Sequence, residues 1–176
     1  ALPISWNYFL IAYQKRRILT LFNPESDPLG SGYHIIQSKI AIGSGGFTGK
    51  GIAKGSQSQL DFVPEQSTDF IFSVLAEELG FLGVLLLIII YSLIIYRCLI
   101  LSLRCEDNFS RLLGASLTFV FFTYIFVNIG MVSGLLPVVG VPLPLISYGG
   151  SSLITLMASF GIIMSIHKHK GPRYLQ

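Results

Sequence analysis

The side chain best placed for chemistry is Asp69, in the stretch Pro64-Glu-Gln-Ser-Thr68-Asp69-Phe-Ile-Phe. Pro64 or Ser67 is expected to start a helix here that runs on into an apolar segment from residue 79. A helix N-terminus favours an ionised carboxylate, and such a group can accept a proton from a substrate hydroxyl. The same position also suits plain charge complementarity with the helix dipole, so residue type alone leaves both readings open. Glu77 and Glu78 follow at the head of the apolar segment. A carboxylate in a membrane helix is expensive unless it is paired or faces water. Asp69, Ser73 and Glu77 recur at i, i+4 and i+8, so one face of the expected helix is polar and suited to lining a cavity.

Glycines and cations precede this stretch, in Gly43-Ser-Gly-Gly46-Phe-Thr-Gly49-Lys50-Gly51. A Walker phosphate loop would need Gly where Ser44 stands and Ser or Thr where Gly51 stands, so that reading fails twice. Two readings stay open: a flexible turn, or amides that join Lys39, Lys50 and Lys54 in holding a phosphorylated lipid head group. His34, His167 and His169 share no metal-binding spacing with the acids. Further on, Pro142-Leu-Pro144-Leu-Ile-Ser-Tyr148-Gly-Gly-Ser-Ser152 combines a chain reversal with small hydroxylated residues, which suit close helix packing or contact with a ligand.

The elements that position these groups must be membrane helices. Of 176 residues, 52% are hydrophobic and 12% charged, and the mean hydropathy is +0.67, whereas soluble domains carry about 25% charged residues. A soluble enzyme is thereby excluded. A net charge of +3 with no basic run excludes a nucleic-acid partner. Residues 79–96 form one uncharged run, about 27 Å as helix. Residues 112–166 lack any Asp, Glu, Lys, Arg or His, and as one helix would reach about 80 Å, so the run must fold back. The glycines and prolines at 134–144 mark the reversal, leaving helices expected at 112–133 and 145–166. A partial span is expected at 4–13, and a short amphipathic helix on the membrane surface at 33–42. Cys98 and Cys105 share one helix face, but about 10 Å of rise exceeds disulfide reach. Arg97, Arg104 and Arg111, with Lys168, Lys170 and Arg173, place the short turn and the tail in the cytoplasm. The chain opens on Ala1 without a signal peptide and is expected to be a fragment lacking its start.

Three segments together resemble the SEDS family (shape, elongation, division and sporulation): Gln37 to Gly46, Gln57 to Gly80, and Pro137 to Ser152. The likeness is to the rod-shape branch more than to the division branch. It implies an all-α polytopic membrane protein of the bacterial cytoplasmic (inner) membrane, a bundle of ten helices of which this chain supplies the C-terminal part. On that basis residues 1–19 end one helix, 20–68 form the large extracytoplasmic loop, and 69–176 hold three membrane helices and a cytoplasmic tail. The resemblance further implies a peptidoglycan glycosyltransferase that polymerises lipid II into glycan strands for cell elongation. Its partners would be lipid II, the nascent strand, a class B penicillin-binding transpeptidase, the elongation machinery and membrane lipid. The family's essential aspartate aligns with Asp69, which would be the general base. Lys39, Lys50, Lys54, Gln57, Glu65 and Glu77 are the substrate-binding candidates. No cofactor is implied, and a divalent cation is left open. Because pyrophosphate leaves without needing an acid, one carboxylate and some cations suffice. Two other readings are a lipid II flippase with Glu77 on its path, and a non-catalytic cell-wall scaffold. The isolated fragment is expected to be inactive.

Overall fold

The computed structural model describes residues 15, 17, 19–21, 31–52, 68–105 and 107–168. Four helices organise them: α1 (Ser31–Ser44), α2 (Ile71–Leu103), α3 (Asn108–Val132) and α4 (Gly150–Lys168). The partial span expected at 4–13 lies outside the described residues. Among the described residues, α2 and α3 are long and apolar enough to cross a membrane, and their most apolar windows are only 11% and 28% buried within the chain. Helices apolar all round with so little cover need lipid or further protein as their solvent. The apolar part of α4, Gly150–Ile166, is shorter. The chain is thus an all-α integral membrane protein.

α2 runs from one end of the bundle to its C-cap at Arg104, and α3 returns from its N-cap at Asp107. Asp107 caps α3, accepting from the Ser110 backbone N–H at 3.0 Å and from its hydroxyl at 3.1 Å. At its far end α3 closes with Gly134 in the left-handed region and the Leu135 N–H bonded to Gly130 O at 2.8 Å, a glycine-terminated cap. Residues 133–149 then fold back over this loop end before α4 descends. The core gathers Ile35 of α1, Phe70, Tyr91 of α2, Phe121 and Val132 of α3, and Leu143 of the return loop. Rings meet edge to face at Tyr91–Phe121 (6.1 Å) and Phe121–Phe160 (5.2 Å).

The structure corrects four expectations. The helix expected at 33–42 is longer, Ser31–Ser44, and one of its faces packs on the bundle end. Ile35, Ser38 and Ala41 form its buried face, and the Ser38 hydroxyl donates to Val132 O of α3 at 2.9 Å. α2 starts at Ile71, after a turn at 68–70, not at Pro64 or Ser67, which lie outside the described residues. α4 starts at Gly150, not at 145, because Leu145 takes φ +67, which a helix cannot contain.

The fourth correction concerns the run into residue 79, which is not one continuous helix. Gly80 takes φ +65 and ψ −163 and breaks α2. A break in hydrocarbon strands two sets of backbone groups, each unpaired member costing several kcal/mol. Here the glycine loop supplies the partners. The Lys50 and Gly51 N–H groups donate to Glu77 O and Glu78 O, both at 3.0 Å, and the Phe81 and Leu82 N–H groups donate to Gly46 O and Phe47 O at 2.9 and 3.2 Å. Residues 46–51 therefore act as a splice across the helix break, and this accounts for their glycines. Gly49 takes φ +75, and a Cβ on it would lie 2.1 Å from Glu78 O.

Candidate functional site

Asp69 occupies the turn that feeds α2, two residues before the first helical position. It is therefore not on the helix, and the polar face proposed for Asp69, Ser73 and Glu77 reduces to Ser73 and Glu77. Two bonds from other elements hold the turn, and a third ties α3 to the return loop beside it. The Ser147 hydroxyl of the return loop donates to Thr68 O, and Asn128 Nδ2 of α3 donates to Asp69 O at 2.9 Å and to Val141 O at 2.6 Å. The carboxylate lies against the return loop: a Cβ built on Gly140, at φ +78, would stand 3.1 Å from Asp69 Oδ2.

The helix break carries Asp69 inward. On a straight helix Thr68 and Tyr91 would be about 34 Å apart. In the fold both are tied to one turn of the return loop, Thr68 through Ser147 and Tyr91 by donating to Pro144 O at 2.6 Å. Phe121 marks the level of Tyr91 on α3, and Asn128 stands seven residues, about 10 Å, nearer the loop end. Gly80 stands about 16 Å above Tyr91 on α2. Asp69, bonded through its backbone carbonyl to Asn128, is thus half-buried between α3 and the return loop.

Glu77 is fully buried, and its Oε1 receives the Lys50 ammonium at 2.7 Å. The Ser44 hydroxyl donates to the same oxygen at 3.5 Å. Removing a carboxylate from water is costly, and a close ammonium offsets part of that cost. The pair also welds the glycine splice to the C-terminal end of the first α2 segment. Lys39 is exposed on α1 and arches over Gly134, where an added Cβ would meet its Cε at 2.2 Å and its Nζ at 2.6 Å. Lys54, Gln57 and Glu65 lie outside the described residues. The structure thus joins Lys50 to Glu77, sets Asp69 against Gly140, and puts Lys39 at the end of α3. Among the described residues, no group of three His, Cys, Asp or Glu side chains is arranged to hold a metal ion.

Sequence reasoning missed Asn128 altogether and treated Ser147 only as part of a turn. The signal for Asn128 was available: a lone carboxamide inside a 55-residue uncharged run must find a partner in hydrocarbon.

Comparison with known proteins fits this architecture. A family profile described as "Cell cycle protein", that of FtsW, RodA and SpoVE, matches residues 1–171. The peptidoglycan glycosyltransferase MrdB of Escherichia coli K12 is 61% identical over 169 residues, covering 96% of this chain and 46% of that protein. The peptidoglycan glycosyltransferase RodA of Treponema pallidum is 46% identical over 155 residues, covering 88% of this chain and 36% of that protein. Among solved structures, a chain from "Structural coordination of polymerization and crosslinking by a peptidoglycan synthase complex" superposes with a TM-score of 0.73 at 38% identity, covering 99% of this chain and 46% of the other. The Thermus thermophilus rod shape determining protein RodA, as an Asp-to-Ala mutant, superposes with a TM-score of 0.57 at 39% identity, covering 64% of this chain and 37% of the other. The chain spans about half the length, or less, of the curated relatives it matches. With its near-complete profile match and these shared helices, the chain belongs to the FtsW, RodA and SpoVE family of cell cycle proteins.

Proposed function

We propose that this chain is part of a peptidoglycan glycosyltransferase that polymerises lipid II, with Asp69 as general base. The observation that carries the reading is the Asp69 turn: a half-buried carboxylate on a turn whose backbone carbonyls, Thr68 O and Asp69 O, accept hydrogen bonds from the return loop and from α3. The names of the relatives support the activity. In the proposed step Asp69 takes the proton of the acceptor sugar hydroxyl as that oxygen bonds the anomeric carbon of the donor. The bond from that carbon to undecaprenyl pyrophosphate breaks, and the electron pair leaves with the pyrophosphate. Lys39, and Lys50 where it is not held by Glu77, would steady that charge, with Lys54, Gln57 and Glu65 completing the site.

The loop end would face outward and the arginine end, with Arg97, Arg104 and Arg111, the cytoplasm. A class B penicillin-binding transpeptidase would dock on the same membrane protein; the synthase-complex neighbour, which couples polymerization and crosslinking, supports that partner. The flippase reading gains no support from Glu77, whose carboxylate is closed in by Lys50 and Ser44.

The test compares wild type with Asp69→Asn in the full-length protein with its transpeptidase partner, reading glycan chains from labelled lipid II on a gel. A positioned base contributes about 10²–10⁴-fold, so polymer is expected to fall by that factor while the protein stays folded and partner-bound. Undiminished polymer would move the base elsewhere.

A further inference from the structure

The two carbonyls flanking the Asp69 Cα are both held by side chains from other parts of the fold. Thr68 O accepts from the Ser147 hydroxyl and Asp69 O accepts from Asn128 Nδ2. These carbonyls belong to the two peptide planes on either side of Asp69, and the orientation of those planes is what sets its φ and ψ. Fixing both fixes the direction of the Cα–Cβ bond that carries the carboxylate. The same Asn128 amide donates to Val141 O, next to Gly140, whose backbone lies against Asp69 Oδ2. One carboxamide therefore sets both the carboxylate and the wall it faces.

The geometry also dictates the rotamer of that amide. Two carbonyl acceptors on Nδ2 admit only a donor there, so the flipped amide is ruled out. Its Oδ1 is buried with no hydrogen-bond partner among the described residues, and an unmet buried acceptor is unfavourable. As filling for a membrane helix, a leucine would serve better; as a bridge between two backbones, it would not serve at all. Ser147 is likewise used twice, since its Oγ also accepts the Leu143 N–H at 2.7 Å.

We infer that Asn128 and Ser147 are positioning residues that hold Asp69 in its reactive orientation, an inference that rests on the reading of Asp69 as the base. Displacing a reacting group by about 1 Å can cost about 10²-fold in rate. The experiment measures kcat and KM for lipid II in the full-length protein with its partner. Asn128→Ala is expected to lower kcat by about 10²-fold and Ser147→Ala by about 10-fold, with KM within two-fold of wild type. Ser147→Thr, which keeps the hydroxyl, is expected to restore most of the rate. In an Asp69→Asn background neither alanine variant should lower the residual rate further, because a misplaced base and an absent base are equivalent. Ser116→Ala, on an exposed part of α3, serves as the unchanged control.

If Asp69→Asn abolishes polymerisation while both alanine variants run at the parental rate, the positioning role is overturned and the base assignment stands. If Asp69→Asn itself polymerises normally, both fall. Losses that add to that of Asp69→Asn, or that Ser147→Thr fails to rescue, would mark a merely structural role. Should Asn128→Ala fail to fold, the Ser147 pair decides.

Discussion

The two ends of the bundle are built on different principles. At the arginine end, α2 passes to α3 through a tight turn with a single aspartate cap, and the chain around it is continuous helix. At the loop end α2 is broken at Gly80, Leu145 and five glycines from Gly46 to Gly140 join Gly80 at positive φ, and Ser38, Ser73, Glu77 and Asn128 are buried. A membrane protein needs none of this to span a bilayer. Backbone held away from its preferred conformations, with partners from another segment bonded across the helix break, is characteristic of functional regions. The difference teaches where to look: one end carries the span, and the other is arranged to hold the Asp69 turn against α3 and the return loop.

The sharpest way to break that comparison is a single methyl group. A Cβ on Gly45 would stand 2.0 Å from Ala76 O, so Gly45→Ala must push the glycine splice off the broken helix. We expect a loss of at least about 3 kcal/mol, the upper end for overpacking, because backbone must move on both sides. Gly161 in α4 has nothing within 4 Å of its added Cβ, and Gly161→Ala should stabilise by about 0.5–1 kcal/mol as a helix-interior glycine. Thermal unfolding of the two variants in detergent reads both. Equal tolerance would mean that the splice is not a tight joint.

The next effect in size concerns Lys50. Removing one partner of a buried pair costs about 3–5 kcal/mol, and since the Lys50 side chain is 32% exposed, Lys50→Met should fall at the low end of that range. Neutralising both, as Lys50→Met with Glu77→Gln, should recover most of the stability. The same pair of variants sharpens the chemistry. If Lys50 serves only to weld the splice, the double variant polymerises nearly as well as wild type. If its ammonium also steadies pyrophosphate, the double variant regains stability but keeps a raised KM.

What was legible in the sequence follows the range of the interaction. α2 and α3 were readable because an uncharged run of membrane length has one physical solution, and α1 because Ile35, Ser38 and Ala41 carry a helical period. The break at Gly80 was not, since a lone glycine in a leucine-rich run reads as a small packing residue. Its partners stand more than thirty residues earlier, at Gly46 and Phe47, and no local pattern joins them. The start of α2 was misplaced for the same reason: Pro64 and Ser67 are local start signals, whereas the turn at 68–70 is set by Ser147 and Asn128, 79 and 59 residues away in the chain. The glycine loop was legible as unusual but not as a splice. The pairing of Lys50 with Glu77 depends on that splice and was equally out of reach.

The smallest expected effect lies at the other end, and it is the control that gives the comparison its meaning. Asp107 caps α3 by accepting the Ser110 N–H at 3.0 Å, the last point before the chain re-enters the span. Asp107→Ala leaves that donor to water and should cost about 1 kcal/mol of stability. The turn lies at the opposite end of α3 from Asn128, more than 20 residues or about 30 Å along the helix, so polymerisation by the full-length protein should not change. A fall in rate at Asp107 comparable to that at Ser147 would show the two ends to be mechanically coupled through α3. An unchanged rate with lowered stability would confine the chemistry to the end where the helices are broken.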